Sequence, residues 1–276
     1  MLVIITLDEL RFARNKLKEP VGLVPTMGFL HDGHLSLIKQ AHLDVASVVV
    51  SIFVNPAQFG PHEDLEKYPH DLKRDLRLLE LAGVDLVWTP TNEVMYPPGY
   101  QTWVNVDEVS KPLEGAMRPG HFRGVATVVA KLFNAVQPQR AYFGQKDAQQ
   151  AVVIRQMSKD LDFPVEIVVC PIMREPDGLA MSSRNVYLST QERKAAVVLS
   201  RALFQAKEAF EKGARDANHL RKVVQEALQT EPLVKLQYVS CANPDTLQEI
   251  NGEVDRALLS LAVSIGKTRL IDNVLL

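Results

Sequence analysis

The sequence predicts an α/β protein: a doubly wound parallel sheet followed by a smaller C-terminal α+β domain. Three observations carry that expectation. Short apolar runs rich in Val and Ile alternate with amphipathic stretches through the first two-thirds of the chain. The runs read as buried strands, as a sheet covered on both faces requires. Beyond Pro171 the order changes to helices and then strands, the pattern of a second, α+β unit.

The elements follow in order. Val21–Pro25 reads as a buried first strand and about His34–Leu43 as the helix after it. Ser47–Val54 (SVVVSIFV) is a stronger strand, rich in β-branched residues. A helix is expected over about Leu65–Ala82 and a third strand at Val84–Thr89. Met95–Gly99 (MYPPG) is a turn that opens a loop region. A helix at Gly124–Val136, a strand at Arg140–Gly144, a helix at Ala148–Leu161 and a strand at Val165–Cys170 complete the sheet. Right-handed crossovers place the helices on both faces. Arg174–Arg184 is polar and loop-like. Helices at Thr190–Lys212 and Asp216–Thr230 precede strands at Lys235–Cys241, Ala257–Ile265 and Arg269–Leu275. Pro171 and Pro176 flank a charged turn, so the boundary is expected there, with residues 1–173 in the first domain and 174–276 in the second.

Composition narrows the function. The chain has 276 residues, 46% hydrophobic and 23% charged, the profile of a globular protein with a full core. Lys plus Arg number 31 against 33 Asp plus Glu, a net charge of -2, which argues against a general nucleic-acid binder. A local basic pocket for a small anion stays compatible with that balance. Cys170 and Cys241 lie far apart in apolar, strand-like segments and match no metal spacing. They read as small core residues in a reducing compartment. Met1–Thr6 is too short for a signal-peptide core, and Asp8 and Glu9 follow it. No apolar run approaches the roughly 18 residues that span a bilayer. A cytoplasmic protein without nucleic-acid or membrane partners is expected.

Five segments carry chemistry. PTMGFLHDGH, Pro25–His34, leads from a strand into a helix, where free N–H groups and the dipole favour phosphate. Gly28 and Gly33 allow close approach, and His31 and His34 share a helical face as donors to phosphoryl oxygens. FVNPAQF places Asn55 and Gln58 at the end of the next strand, with amides suited to an uncharged polar group. Arg118, His121 and Arg123 form a basic cluster at a helix start that fits a carboxylate or phosphate. FGQKDAQQ, Phe143–Gln150, again joins strand to helix. Lys146 is a point charge for phosphate, and Asp147 suits either a helix cap or a ligand. Met181-Ser182-Ser183-Arg184, in a polar loop with Gly178, combines two hydroxyls and a guanidinium into an anion clamp. Taken singly, each segment also has an ordinary reading as a polar turn or a helix cap.

Together PTMGFLHDGH, FVNPAQF, HFRGVATVV, YFGQKDAQQ and REPDGLAMSSRN, in that order, with TRLIDN near the end, resemble the pantoate–β-alanine ligase family of the HxGH nucleotidyltransferase superfamily. The resemblance runs over nearly the whole chain, and Met-Ser-Ser-Arg is similar to a variant of the KMSKS loop. It implies a Rossmann-like first domain of HUP type that binds ATP and pantoate, and a smaller domain carrying the Met-Ser-Ser-Arg loop. The implied activity is ATP-dependent condensation of (R)-pantoate with β-alanine to pantothenate, a coenzyme A precursor. It runs through pantoyl adenylate and releases AMP and pyrophosphate. The implied catalytic residues are His34, His31 and Lys146. ATP contacts fall on Met27, Gly28, His31, His34, Gly144, Gln145, Lys146, Asp147, Met173, Met181, Ser182, Ser183 and Arg184. Pantoate falls on Asn55, Gln58 and Gln150, and β-alanine on Gln58. Mg²⁺ is expected on the phosphates, held by substrate and water, with no protein ligand assigned; Asp71 and Asp75 are candidate outer partners and are not counted as ligands. A homodimer is implied, with the SVVVSIFV strand or nearby surface as a candidate interface.

Two positions depart from the family. Gln145 stands where its members usually carry Glu, and Met173 where they often carry Val. Competing readings are another adenylyl or cytidylyl transferase of the superfamily, or a nucleotide-binding regulator on the same fold. The regulator would need neither the HxGH pair nor the second serine loop.

Overall fold

The structure, a computed structural model, describes residues 1–61 and 63–276. The chain forms two compact units, one of residues 1–144 and 149–171, the other of residues 145–148 and 172–276.

The first unit is built on a six-stranded, all-parallel sheet of order β1-β4-β3-β2-β5-β6. Its strands are β1 (Leu2–Ile4), β2 (Val21–Thr26), β3 (Ser47–Ile52), β4 (Leu86–Trp88), β5 (Arg140–Gly144) and β6 (Glu166–Cys170). The helices are α1 (Leu7–Arg14), α2 (Asp32–Asp44), α3 (Leu72–Leu81), α4 (Asn92–Met95), α5 (Glu114–Met117), α6 (His121–Val136) and α7 (Ala148–Asp160). Val24, Ile38, Val48, Val50, Leu79 and Val87 form one core layer of this unit. β2 pairs with β3 on one side and β5 on the other, so the strand order reverses between β2 and β5. Ligands of open parallel sheets bind outside the carboxyl ends of strands at such a reversal.

β1 and α1 were not expected. β1 is a three-residue edge strand, too short to show a period, so Val21–Thr26 is the second strand and the HxGH segment follows it rather than the first. The helix expected over Leu65–Ala82 is interrupted. A 3₁₀ turn covers Leu65–Lys67, Pro69 follows, and α3 starts afresh behind the Asp71 side chain, which caps Arg74 N–H. β3 is a central, buried strand, so the SVVVSIFV segment is not an exposed interface.

The second unit carries α8 (Thr190–Ala195), α9 (Val198–Glu211) and α10 (Ala217–Gln229), with an antiparallel sheet of β7 (Val234–Ala242), β8 (Leu258–Ile265) and β9 (Thr268–Leu275). Leu199, Leu203, Leu220, Val224, Leu259 and Leu261 fill its core. The single helix expected over Thr190–Lys212 is two. Val197 N–H bonds back to Lys194 and Leu199 N–H to Ala196, a tight 3₁₀ stretch that separates the two helices. Both cysteines are free and buried, and burial pushes the Cys241 thiol up to about 11. Among the described residues no helix is long and apolar enough to cross a membrane.

One close approach in the first unit shapes the site. A Cβ built on Gly124 would lie 2.2 Å from the Ala57 carbonyl oxygen and 2.6 Å from the Gln58 nitrogen. The first turn of α6 therefore rests directly on the 55–58 turn. Gly124→Ala is expected to lower stability even though Ala favours a helix interior by about 1 kcal/mol. Thermal melting checks this; an unchanged or higher midpoint contradicts it.

Candidate functional site

The HxGH segment begins where β2 ends. Gly28 has φ 84° and Phe29 φ 50°, both in the left-handed region, which costs a non-glycine residue about 1 kcal/mol. The turn is held from α3. The Asp75 carboxylate, 1% exposed, accepts Phe29 N–H at 2.7 Å and Leu30 N–H at 2.8 Å. Beside it, the Arg74 guanidinium donates to the Leu30 carbonyl at 2.9 Å and lies 3.6 Å from Asp75. The sequence reading counts Asp75 as no metal ligand. Its oxygens instead bind main chain, a role the periodicity already signals, because Asp75 shares the buried stripe of α3 with Leu79.

His31 is the N-cap of α2 and His34 its third residue. His31 Nδ1 accepts Gly33 N–H at 3.1 Å, and His34 Nδ1 accepts His31 N–H at 3.3 Å. The two side chains make a reciprocal capping pair, with ring centroids 4.1 Å apart. An Nδ1 that accepts puts the proton of a neutral ring on Nε2, so each ring's own donor is its Nε2–H.

Asn55 and Gln58 lie on the turn after β3. Asn55, 1% exposed, fills all four amide positions. Nδ2 donates to Gln58 Oε1 at 3.0 Å and to the Gly124 carbonyl at 3.2 Å, while Oδ1 accepts from Ala57 N–H at 3.2 Å and the Tyr96 hydroxyl at 2.8 Å. With Oε1 occupied, Gln58 presents Nε2, which lies 3.1 Å from Met27 Sδ. This brings Met27, Asn55 and Gln58 into one cluster. Gln150 is half-buried on the first turn of α7. Its neighbour Gln149 is buried and binds Glu114 N–H and the Val109 and Pro112 carbonyls.

The side chains of the basic cluster read at residues 118–123 have partners within the protein. Arg118 is bidentate to Glu63 at 2.6 and 2.7 Å, and Arg123 stacks on Trp103 at 4.6 Å. His121 Nδ1 lies 2.8 Å from the Gln58 carbonyl, and its Nε2 is 3.1 Å from Arg118 Nη1. Burial, reinforced by the Arg118 charge, lowers the His121 imidazole to about 4. The ring is therefore neutral, with Nδ1 donating to the carbonyl and Nε2 accepting from Arg118. Burial alone would raise the Glu63 carboxyl, but Arg118 outweighs it and holds the acid below its usual range.

In the second unit, Gln145–Asp147 forms a 3₁₀ turn after Gly144, where a Cβ would meet nothing within 4 Å. Lys146 Nζ is 3.7 Å from Asp147. The segment after Pro171 is a tight hairpin. Met181 N–H bonds to the Met173 carbonyl at 2.9 Å, and Arg174 bridges Ala180. Ser182, Ser183 and Arg184 follow. Ser182 Oγ caps the next turn by accepting Arg184 N–H at 3.2 Å, and Ser183 is buried. Among the described residues no cluster of three His, Cys, Asp or Glu side chains is arranged to hold a metal.

With this geometry in view, the comparisons decide the family. The sequence model of pantoate-beta-alanine ligase matches residues 3–275. The chain belongs to the pantoate–β-alanine ligase family. A pantothenate synthetase of Roseiflexus castenholzii is 59% identical over 276 residues, covering 100% of this chain and 99% of that protein. One from Acetivibrio thermocellus is 54% identical over 278 residues, covering 100% and 99%. The crystal structure of the Thermus thermophilus pantothenate synthetase superposes with TM-score 0.96 at 50% identity, covering 99% of each chain. A Francisella tularensis pantoate-beta-alanine ligase, complexed with β-γ ATP and β-alanine, gives TM-score 0.82 at 36% identity, covering 100% of this chain and 97% of that one. The chain is thus an enzyme of a ligase family with this α/β architecture. Gln145 Nε2 donates to Asn273 Oδ1 at 3.0 Å, a bond a glutamate carboxylate cannot make.

Two outcomes follow for the first unit. Asp75→Ala strands two N–H donors and is expected to cost about 2–4 kcal/mol in urea unfolding, with Asp75→Asn costing less; a change under about 0.5 kcal/mol contradicts the clamp. The His121 value lies below that of an unfolded histidine, near 6.5. The unfolded chain therefore binds the extra proton, and stability falls as pH drops from about 6.5 toward about 4. His121→Gln is expected to flatten that part of a pH–melting series; an unchanged slope contradicts the assignment.

Proposed function

We propose that the chain condenses (R)-pantoate with β-alanine through pantoyl adenylate. The pantoate carboxylate attacks the α-phosphorus of ATP, the bond to the bridging oxygen breaks, and pyrophosphate leaves. The β-alanine amine then attacks the acyl carbon, the bond to AMP breaks, and pantothenate forms with loss of a proton. The observation that carries this reading is the His31–His34 pair, two rings anchored through Nδ1 at the start of α2, which leaves Nε2–H as the donor of each neutral ring. Donors fixed before the reaction stabilise charge that builds on phosphoryl oxygens as the leaving group departs. The membership of the family supports it, as does a relative crystallised with β-γ ATP and β-alanine.

The remaining roles follow the same logic. Met27 and Gly28 line the turn over which the nucleotide lies, with Gly144, Asp147, Met173 and Met181 as further nucleotide contacts. Lys146 acts as a point charge on the phosphates, joined by Ser182, Ser183 and Arg184. Gln145 contacts the nucleotide through its main chain, since its side chain is bound to Asn273. Gln58 donates from Nε2 to pantoate and later to β-alanine, and Gln150 holds pantoate. Asn55 serves through Gln58, because its own amide is saturated. Mg²⁺ enters as the metal of the ATP substrate, held by phosphate and water; the main-chain bonds that occupy both Asp75 oxygens accord with that.

The test is ATP–pyrophosphate exchange without β-alanine. Exchange is expected only when pantoate is present. His34→Ala is expected to lower it by about 100-fold or more with the fold intact; near-normal exchange overturns the role of His34. Gln58→Ala is expected to raise the KM for pantoate more than that for ATP, and equal losses overturn its assignment.

A further inference from the structure

The TRLIDN stretch lies on β9 of the second unit and has no role in the mechanism above. Two of its residues are almost fully buried: Asp272 is 2% exposed and Asn273 3%. Asn273 Nδ2 donates to the main-chain carbonyls of both Gln145 and Lys146 at 3.0 Å, and its Oδ1 accepts from Gln145 Nε2 at 3.0 Å. Two carbonyls facing one amide nitrogen fix which way the amide points. Asp272 is bidentate to Arg174 at 2.7 and 2.9 Å and accepts Asn273 N–H at 2.8 Å. Arg174 also donates to the Gly178 carbonyl at 3.1 Å, across the hairpin that leads to Ser182–Arg184. Adjacent residues of one strand therefore grip the turn that carries Lys146 and the segment that carries the serine loop.

We propose that Asn273 is a positioning residue for Lys146, set on a frame that the Asp272–Arg174 pair makes rigid. A lysine is a flexible point charge, so where its ammonium sits depends on how its main chain is held. Asn273 holds that main chain by the carbonyls on either side of the Lys146 nitrogen. Misplacing a contact group by a fraction of an ångström weakens its interaction with a phosphate without unfolding the protein. The inference rests on the proposed binding of ATP by Lys146.

The experiment is a double-mutant cycle on the full-length protein, read by the dissociation constant for MgATP, which needs no turnover. Asn273→Ala is expected to weaken MgATP about five- to tenfold and to leave pantoate affinity within twofold. In a Lys146→Ala background the same substitution is expected to change MgATP affinity by less than twofold, because the group it acts through is gone. Asn273→Ser keeps one donor for the two carbonyls and is expected to give an intermediate loss; it replaces the alanine variant in the cycle if that variant does not fold. Equal losses in both backgrounds, no loss in either, or a matching loss of pantoate affinity would each overturn the proposal. Failure of the wild-type protein to bind MgATP would instead refute the nucleotide reading itself, before the cycle is begun.

Discussion

A buried carboxylate needs donors, and Asp75 finds them in the main chain of the HxGH turn. The geometry of the HxGH turn in the first unit depends on that constraint. The two N–H groups it binds belong to Phe29 and Leu30, the pair that turns the chain from β2 toward α2. Phe29 sits in a backbone region that disfavours side chains, and the carboxylate offsets that cost. Once the turn is set, His31 falls at the N-cap of α2 and His34 one turn in. Each ring then completes the helix start through Nδ1 and keeps its proton on Nε2. Helix capping thus uses the Nδ1 edge of each imidazole, and the proposed phosphate chemistry would use the opposite edge.

The same arrangement recurs with other residues. Asn55 is saturated by the Gly124 carbonyl, Ala57 N–H, the Tyr96 hydroxyl and Gln58, which fixes the Gln58 amide with Nε2 outward. His121, neutral because it is buried, holds the Gln58 carbonyl from the other side. In the second unit Asn273 and Asp272 hold the Lys146 turn and the Arg174 hairpin. In each case a buried polar side chain binds main chain beside a more exposed neighbour to which the proposed function gives a ligand contact. Buried groups of this kind must be fully paired to be tolerated, and full pairing makes them rigid.

Much of this was legible in the sequence, for physical reasons that differ by element. The strands from Val21, Ser47 and Arg140 were readable because burial on both faces leaves an unbroken apolar run. β1 was not, because three residues at a sheet edge carry no period. The break at Pro69 was available from proline chemistry, yet the amphipathic pattern on either side concealed it. The split of α8 from α9 has no glycine or proline to mark it. The ligand-facing candidates stood out because histidine pairs and serine loops at strand ends are conspicuous. The residues that hold them were quieter, but not silent. Asp75 lies on the apolar stripe of α3, and Asp272 shares the alternation of Leu270 and Val274 along β9. An acid in a buried register announces a paired partner elsewhere. The cluster of Arg118, His121 and Arg123 shows the converse. Residue type suggested an anion, but Glu63, the Gln58 carbonyl and the Trp103 ring are distant in sequence and already occupy those groups.

The account turns on a carboxylate oxygen of pantoate becoming bonded to the α-phosphorus of ATP. Pantoate labelled with ¹⁸O in its carboxylate tests this directly, with the nucleotide products of a complete reaction read by mass spectrometry. Formation and aminolysis of an acyl adenylate would leave one labelled oxygen in the AMP for each pantothenate made. Unlabelled AMP alongside normal pantothenate, or label appearing in inorganic phosphate with ADP as the nucleotide product, would contradict it.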